Sequence, residues 1–551
     1  MQVPYKRPSA SFLLLAYLVA ITVGTFAMVL ARAYQSGFSG ADEPSHFLNG
    51  YFIANYVSAH FGANPMSAAA DFYIHYPKIS IGHWPPAYYG FLGLVFLVLP
   101  PTMPVAFAIN VLLAALPALG IAAALAMLAD RRTAIAGVLV YALTPLVLEG
   151  HAMFMVDQPL AACLVAATAL WIAYALAPGW GKAIGFALLA ALAVLIKGNG
   201  WLVVFIPVFH ILLTGNWKLL LSIKLVAAAA LAALLVVPWY MLTAKIAADG
   251  FNYQAGLPYA SKALLANLLT LSHNLTPAGV LLALFGVAAE FRVRARSALR
   301  WLIVSGILSL VLATLLLQSL VPVDIVDRYM APALPAVVVL AALGVRHLLA
   351  LLAARLARPA PVAAVLAALL AAVMAVPGVQ HLAARPPKAD TGIALISSEL
   401  AAGRQPALTV IDGPAGAEGA FIAQMAVHDT QLQGYVIRAS KLLADSNFMG
   451  SSYALKYSNA GQVLDELRRL GVQHVVIVRQ NNAPAYPHST QMRDALAASG
   501  SGFLLKQRLP HQFRAGVTEV YEATGAVTPD IAAVREMGIP AKATKLTHLQ
   551  Q

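Results

Sequence analysis

The chain has 551 residues, of which 60% are hydrophobic and 11% charged, and a formal net charge of +13. A soluble domain carries about 25% charged residues, so the composition excludes an ordinary water-soluble globule, intrinsic disorder and, despite the basic balance, a soluble nucleic-acid binder. The single cysteine, Cys163, excludes an intrachain disulfide.

Charge is unevenly spread, because residues 380–551 hold 29 of the 59 charged side chains and the first 379 hold 30. This pattern predicts a membrane region over 1–380 and a soluble domain over 381–551. A spanning helix needs roughly 20 mainly apolar residues. Eleven such runs are predicted, near 11–33, 103–128, 134–148, 158–177, 183–197, 199–214, 219–243, 276–290, 301–321, 329–352 and 360–378. The stretch from Pro85 to Leu99 is apolar but only about 15 residues long, which suits an interfacial or re-entrant helix. Basic residues decide against a twelfth crossing there, since it would put Arg131 and Arg132 outside.

With eleven crossings and a cytoplasmic amino terminus, fourteen of the twenty basic residues before position 380 fall inside: Lys6, Arg7, Arg131, Arg132, Lys182, Lys218, Lys224, Arg292, Arg294, Arg296, Arg300, Arg346, Arg355 and Arg358. Eight of the ten acidic residues fall outside: Asp42, Glu43, Asp71, Glu149, Asp157, Asp249, Asp324 and Asp327. The basic balance is therefore orientation in a membrane, and the odd number of spans sends the tail outside. Ala31-Arg32-Ala33 has the form of a signal-peptidase site, but the apolar run before it exceeds the 7–15 residues of a signal peptide, so the first span is expected to remain.

The tail reads as α/β. Strands are predicted at 407–411, 474–478, 503–505 and 517–521, alternating with helices at 416–427, 460–470 and 491–498. Gly413, Gly416 and Gly419 follow the first of these strands, and two readings are open: a phosphate cradle, or ordinary turn and helix-start glycines.

The first outer loop, about 34–102, is too long for a connector. It begins with Asp42-Glu43-Pro44-Ser45-His46. A carboxylate at a low-dielectric boundary suits a general base, while acidic residues also favour the start of a helix; both readings stand. His83-Trp84-Pro85-Pro86-Ala87-Tyr88-Tyr89 opens the short apolar segment. Trp84, Tyr88 and Tyr89 fit an interfacial aromatic belt, and His83 is a candidate partner of the first motif or, with His46, a metal ligand. Lys197 and Arg328-Tyr329 break the charge pattern by standing at outer ends of spans. Charges at that depth are candidates for function, and a lysine and an arginine are suited to hold a phosphate. The alternatives are a salt bridge from Arg328 to Asp327 or Asp324, and snorkelling of Lys197. Asp157, beside Gln158-Pro159, is a candidate for the same outer site or a helix cap.

Taken together, Asp42-Glu43 after the first span, Pro85-Pro86-x-Tyr88-Tyr89, Lys197-Gly198, and Arg328-Tyr329-x-x-Pro332-x-x-Pro335 before a late span resemble the GT-C fold membrane glycosyltransferases, in the branch of protein O-mannosyltransferases and the lipid A aminoarabinose transferase. The resemblance covers most of residues 1–380. It implies a polytopic α-helical protein of about eleven transmembrane helices with a C-terminal soluble α/β domain. It also implies inverting transfer of a sugar from a polyprenyl-phosphate carrier to an acceptor hydroxyl, carried by a lipid, a glycan or a protein, on the periplasmic face. Asp42 matches the family's catalytic aspartate and Glu43 would position the acceptor; Arg328, Lys197 and Tyr329 would bind the donor phosphate. His83, His46, Asp157 and Tyr88 are left as substrate or metal candidates, with a divalent metal as an open cofactor. Trp84 departs from the lysine that many relatives carry before the proline pair. Expected partners are the lipid-linked donor and membrane lipids, without nucleic acid, and the expected location is a bacterial inner membrane. The rival readings are a transporter or flippase for a lipid-linked sugar, and a membrane-anchored receptor.

Overall fold

The computed structural model describes residues 8–35, 38–247, 253–294, 297–353, 359–403, 406–446, 453–481 and 485–538. Lys6, Arg7, Asp249, Arg296, Arg355 and Arg358 of the charge pattern lie outside the described residues. The membrane region contains helices α1 (Ala10–Leu30), α2 (Glu43–Ala59), α3 (Pro65–His75), α4 (Ala87–Val98), α5 (Met103–Ala115), α6 (Pro117–Leu128), α7 (Arg131–Ala142) and α8 (Pro145–Ala152). It continues with α9 (Asp157–Leu176), α10 (Trp180–Ile196), a 3-10 turn (Gly198–Val204) leading into α11 (Phe205–Thr214), α12 (Ile223–Ala247), α13 (Leu257–Val293), α14 (Ala298–Leu320), α15 (Leu334–Ala353) and α16 (Pro359–Ala384).

Among the described residues, eight helical stretches are long and apolar enough to cross a membrane. The pair α7 and α8, bent by 59°, makes a ninth, and α10 and the stretch from Gly198 to Thr214 are apolar but shorter. These are the eleven predicted runs in order, and the chain is a multi-pass membrane protein. Leu14, Leu18 and Phe26 on α1, and Leu234, Met241 and Leu242 on α12, are exposed on the protein's own surface, which is the side that lipid covers.

Two departures have physical causes. Helix α13 begins at Leu257 rather than near 276, and it is two helices that meet at Thr276, whose φ of 63° is not helical, followed by Pro277. Asn267, Ser272, His273 and Asn274 dilute the first half below a spanning run. Helix α2 lies in what the sequence presents as loop. Ser45, His46, Asn49 and Asn55 interrupt its apolar residues, yet all four are buried, because protein surrounds the helix. A helix with polar residues on buried faces has no apolar stripe to detect.

The helices pack closely through small residues. A Cβ on Gly286 of α13 would stand 2.3 Å from the Leu340 carbonyl oxygen, and one on Gly344 of α15 would stand 1.9 Å from that of Leu282. At the same end, the buried Glu290 accepts hydrogen bonds from Arg300 (Nε 2.6 Å) and His347 (Nε2 2.7 Å), tying α13, α14 and α15 together.

The tail comprises α17 (Ile393–Ala401), β1 (Leu408–Asp412), α18 (Ala415–His428), β2 (Tyr435–Arg438), α19 (Ala439–Leu442), β3 (Ala444–Asp445), β4 (Ala454–Leu455), α20 (Ala460–Arg469), β5 (His474–Gln480), α21 (Pro487–Ala497), β6 (Phe503–Pro510), β7 (Gly516–Ala523) and α22 (Ile531–Gly538). Its main sheet has the order β2-β1-β5-β7-β6, with β2, β1 and β5 parallel and β7 and β6 antiparallel. Alternation splits the strands between two cores. Leu408, Val410, Val475 and Ile477 pack with Val463, Leu467 and Met492 of α20 and α21. Ile411, Val476 and Val478 instead join Phe421 of α18 in the same apolar cluster as the membrane helices. One face of the tail sheet is thus continuous with the core of the membrane region.

Replacing Gly344 by leucine forces α13 and α15 apart. Overpacking of this kind costs about 1–3 kcal/mol, so the variant is expected to melt at a clearly lower temperature in detergent. Gly181→Ala, where a Cβ meets nothing within 4 Å, should melt like the parent.

Candidate active site

Asp42 stands at the N-cap of α2, and its Oδ2 accepts a hydrogen bond from an amino group of Arg328 at 3.2 Å. Arg328 belongs to a 3-10 turn (Asp327–Met330) between α14 and α15. Its Nε also lies 3.5 Å from Oδ2 of Asp157, the first residue of α9. The other oxygen of Asp157 accepts a 2.6 Å hydrogen bond from the ammonium of Lys197, which follows α10. The Tyr329 ring closes the group, 4.4 Å from Lys197 Nζ. Five residues dispersed over nearly 290 positions are therefore one connected cluster. Arg328 pairs with neither Asp327 nor Asp324: Asp327 takes the hydroxyl of Thr270, and Asp324 that of Tyr253. Lys197 does not snorkel, since its charge is turned inward onto Asp157.

Exposure grades the cluster. The side chains of Asp42 and Arg328 are 41% and 32% exposed, whereas those of Asp157 and Lys197 are 4% and 9% exposed. Asp42 and Arg328 are thus open to an incoming molecule, with Asp157 and Lys197 beneath them. Asp157 is more central than its capping position suggests, because it is the one carboxylate shared by both cations.

Glu43 is next to Asp42 in sequence and opposite to it in environment. It is fully buried, and its oxygens accept from the backbone N–H of Ser39 (2.8 Å), Gly40 (2.7 Å) and Phe154 (2.8 Å), with Lys388 Nζ at 3.4 Å. The expectation that Glu43 contacts an acceptor does not suit this geometry, since protein donors occupy the carboxylate. Lys388 was not singled out in the sequence. It carried a signal nonetheless, as a basic residue just beyond the last span on the side where basic residues are scarce. Burial pulls its pKa down and the Glu43 carboxylate opposes that; its backbone N–H also donates to Ala31 O at 2.9 Å.

His46 is buried, with Nδ1 2.7 Å from the Tyr89 hydroxyl and its ring 4.4 Å from that of Trp84. Burial lowers its pKa well below the usual histidine value, so it is a neutral packing element that links α2 to α4. His83 meets Trp84 edge-on at 5.2 Å, and the buried Tyr88 ring packs against Tyr89 and Phe154. Among the described residues, His46, His83 and Asp157 do not gather as a set of metal ligands; the one such group of three is Asp412, Glu418 and His488, in the tail.

The tail glycines serve packing. A Cβ on Gly416 would stand 3.1–3.3 Å from the carbonyl oxygens of Phe38, Ser39 and Gly40, and one on Gly419 would stand 2.5 Å from Pro44. Of the two readings of this repeat, the phosphate cradle gives way at these two positions to a flat helix face that lets α18 lie against the segment carrying Asp42. The end of α3 is pinned to the tail as well, through the Tyr76 hydroxyl on Asp429 (2.5 Å) and His75 Nδ1 on Gly434 O (2.8 Å).

Known proteins share this architecture. ArnT from Cupriavidus metallidurans, solved bound to undecaprenyl phosphate, superposes with a TM-score of 0.53 at 13% identity, covering 93% of this chain and 98% of that one. The Archaeoglobus fulgidus oligosaccharyltransferase, tethered with an acceptor peptide containing the NVT sequon, superposes with a TM-score of 0.52 at 14% identity, covering 85% of this chain and 69% of that one. The chain has the GT-C fold. Residues 83–242 match the family model described as dolichyl-phosphate-mannose-protein mannosyltransferase, which makes the chain a glycosyltransferase. That match includes Asp157 and Lys197 but stops short of Asp42 and Arg328. No curated protein sequence matches the chain.

Lys388→Met leaves the Glu43 carboxylate buried without its cation. Breaking one side of a buried pair costs about 3–5 kcal/mol, so a large fall in melting temperature is expected in detergent. The double variant Glu43→Gln/Lys388→Met should recover part of it.

Proposed function

We propose that this glycosyltransferase moves a sugar from a polyprenyl-phosphate carrier to an acceptor hydroxyl, with inversion, at the periplasmic side of a bacterial inner membrane. The observation that carries the reading is the Asp42–Arg328 pair, an accessible base and an accessible guanidinium 3.2 Å apart. The undecaprenyl phosphate held by the structural neighbour supports the donor class.

Arg328 binds the donor's phosphate and so releases Asp42 from its resting partner. The acceptor oxygen attacks the anomeric carbon from the face opposite the phosphate and forms the new glycosidic bond. The bond from that carbon to the phosphate oxygen breaks, and its electron pair stays on the phosphate. Asp42 takes the hydroxyl proton, and the guanidinium meets the charge that gathers on the leaving group. A single displacement of this kind inverts the anomeric centre. Lys197 acts from below, through Asp157, which holds Arg328 and the ammonium in fixed positions. Tyr329 packs against Lys197. Glu43 positions Asp42 through the backbone it fixes and leaves the acceptor to other groups. The orientation rests on the basic residues at the opposite helix ends and on the odd number of runs, which put the tail and the cluster on one side.

The test is Asp42→Asn in purified protein. Loss of a general base lowers turnover by about 10²–10⁴-fold, and binding of carrier lipid should persist; unchanged sugar transfer would sink the assignment. Arg328→Ala should weaken carrier-lipid binding as well as turnover, which separates the phosphate clamp from the base.

A further inference from the structure

The tail holds a cleft of about 690 Å³ that is separate from the cluster at Asp42. It lies beyond the carboxyl ends of the paired strands β1 and β5, where Asp412-Gly413-Pro414 and Val478 to Asn481 line it side by side. From β1 the chain crosses to β2 on one side, while from β5 it continues to the β7-β6 side. Adjacent parallel strands whose connections part in this way leave a crevice, the usual ligand position in open α/β sheets. Its volume falls within the roughly 300–1,000 Å³ of small-molecule sites.

The lining indicates what would bind. Arg479, Arg493 and Arg508 contribute three guanidiniums, and Asp412 the one carboxylate among the lining residues. Glu519 pairs with Arg479 at 2.8 Å and Arg508 at 3.4 Å, so the balance is modestly positive. Burial pushes the Asp412 carboxyl up to about 6 while the Ser489 hydroxyl, donating to it at 2.6 Å, opposes that rise. Helix α18 starts from the Asp412 wall. Helix α21 places Tyr486, Ser489 and Arg493 along the other side. Next to Ser489, His488 is almost wholly buried and its Nε2 has no hydrogen-bond partner among the described residues; it stands 3.6 Å from Asp412 Oδ1. Gln480, Asn481 and Tyr486 add amides and a hydroxyl suited to a polyhydroxylated molecule. The Asp412, Glu418 and His488 group is a poorer metal site than its spacing suggests, because Arg438 and Ser440 already occupy both oxygens of Glu418.

We infer that this cleft binds an anionic sugar, one carrying a phosphate or carboxylate, with Arg493 and Arg508 meeting the anion and the amide and hydroxyl groups meeting the ring. The group is supplied either as a free sugar or on a lipid or glycan.

The test uses the full chain in nanodiscs of zwitterionic lipid. Glucose 6-phosphate and glucuronate are titrated as free probes, a glucuronic acid glycolipid as the lipid-borne probe, and glucose as the neutral control. Saturable binding of at least one anionic probe is expected, with glucose much weaker and Arg493→Gln/Arg508→Gln weakening it by about tenfold or more. The free and lipid-borne arms show which source the cleft accepts. Arg535→Gln, a basic residue paired with Asp71 away from the cleft, should bind as the parent does, and an unchanged melting temperature of the double variant shows that its fold is intact. Absence of saturable binding in every anionic arm overturns the inference. So does equal affinity in the double variant, or glucose binding as tightly as its phosphate.

Discussion

A carboxylate taken wholly out of water needs donors on every side, and at Glu43 those donors come from three separate parts of the chain. The loop before α2 supplies two backbone N–H groups, the turn between α8 and α9 supplies a third, and the start of the tail supplies Lys388. Burying a charge this way is unfavourable unless each partner is in place. The first span, the bent pair and the soluble tail are thereby held in one arrangement. Asp42, the next residue back, stands where that arrangement leaves an opening. Two adjacent acidic side chains thus meet opposite environments: Glu43 is buried among protein donors, and Asp42 is partly exposed beside Arg328.

The cluster around Asp42 follows from the same economy of charge. Two cations and two carboxylates balance, so the resting group needs no bound ion to be tolerable at the membrane boundary. Asp157 lies deepest and holds both Arg328 and Lys197, which fixes the cations before any ligand arrives. Prior fixing of this sort is what lets an electrostatic site act without reorganising during the reaction. The outermost contact, between Arg328 and Asp42, is the longer hydrogen bond and the more exposed one.

Much of this was legible in the residues. Hydropathy located the eleven apolar runs, and the sorting of charge by side drew attention to Lys197 and Arg328 as exceptions. The tail strands at 408–412, 474–480, 503–510 and 516–523 stand where alternation placed them. The less legible parts share a cause, which is that their residues answer to distant neighbours. Helix α2 shows no stripe because its residues up to Asn55 are buried on nearly every face, polar ones included. The short strand Tyr435–Arg438 reads as coil until Leu408 to Ile411 pair with it. The opposite fates of Asp42 and Glu43 depend on Lys388, some 345 positions later. Gly416 and Gly419 leave two readings open in sequence because nothing there announces Pro44 and the loop at 38–40 as the surfaces they meet.

The inner face of the tail sheet shares its apolar core with the membrane helices, and this limits how such proteins can be recombined. A tail grafted from a relative would bring the wrong side chains to α2 and α3 and leave a seam of mismatched volumes next to Asp42. The unit of exchange is therefore the tail together with α2 and α3, two pieces more than 300 positions apart in the chain. Lineages that alter the tail are expected to alter that loop in step with it.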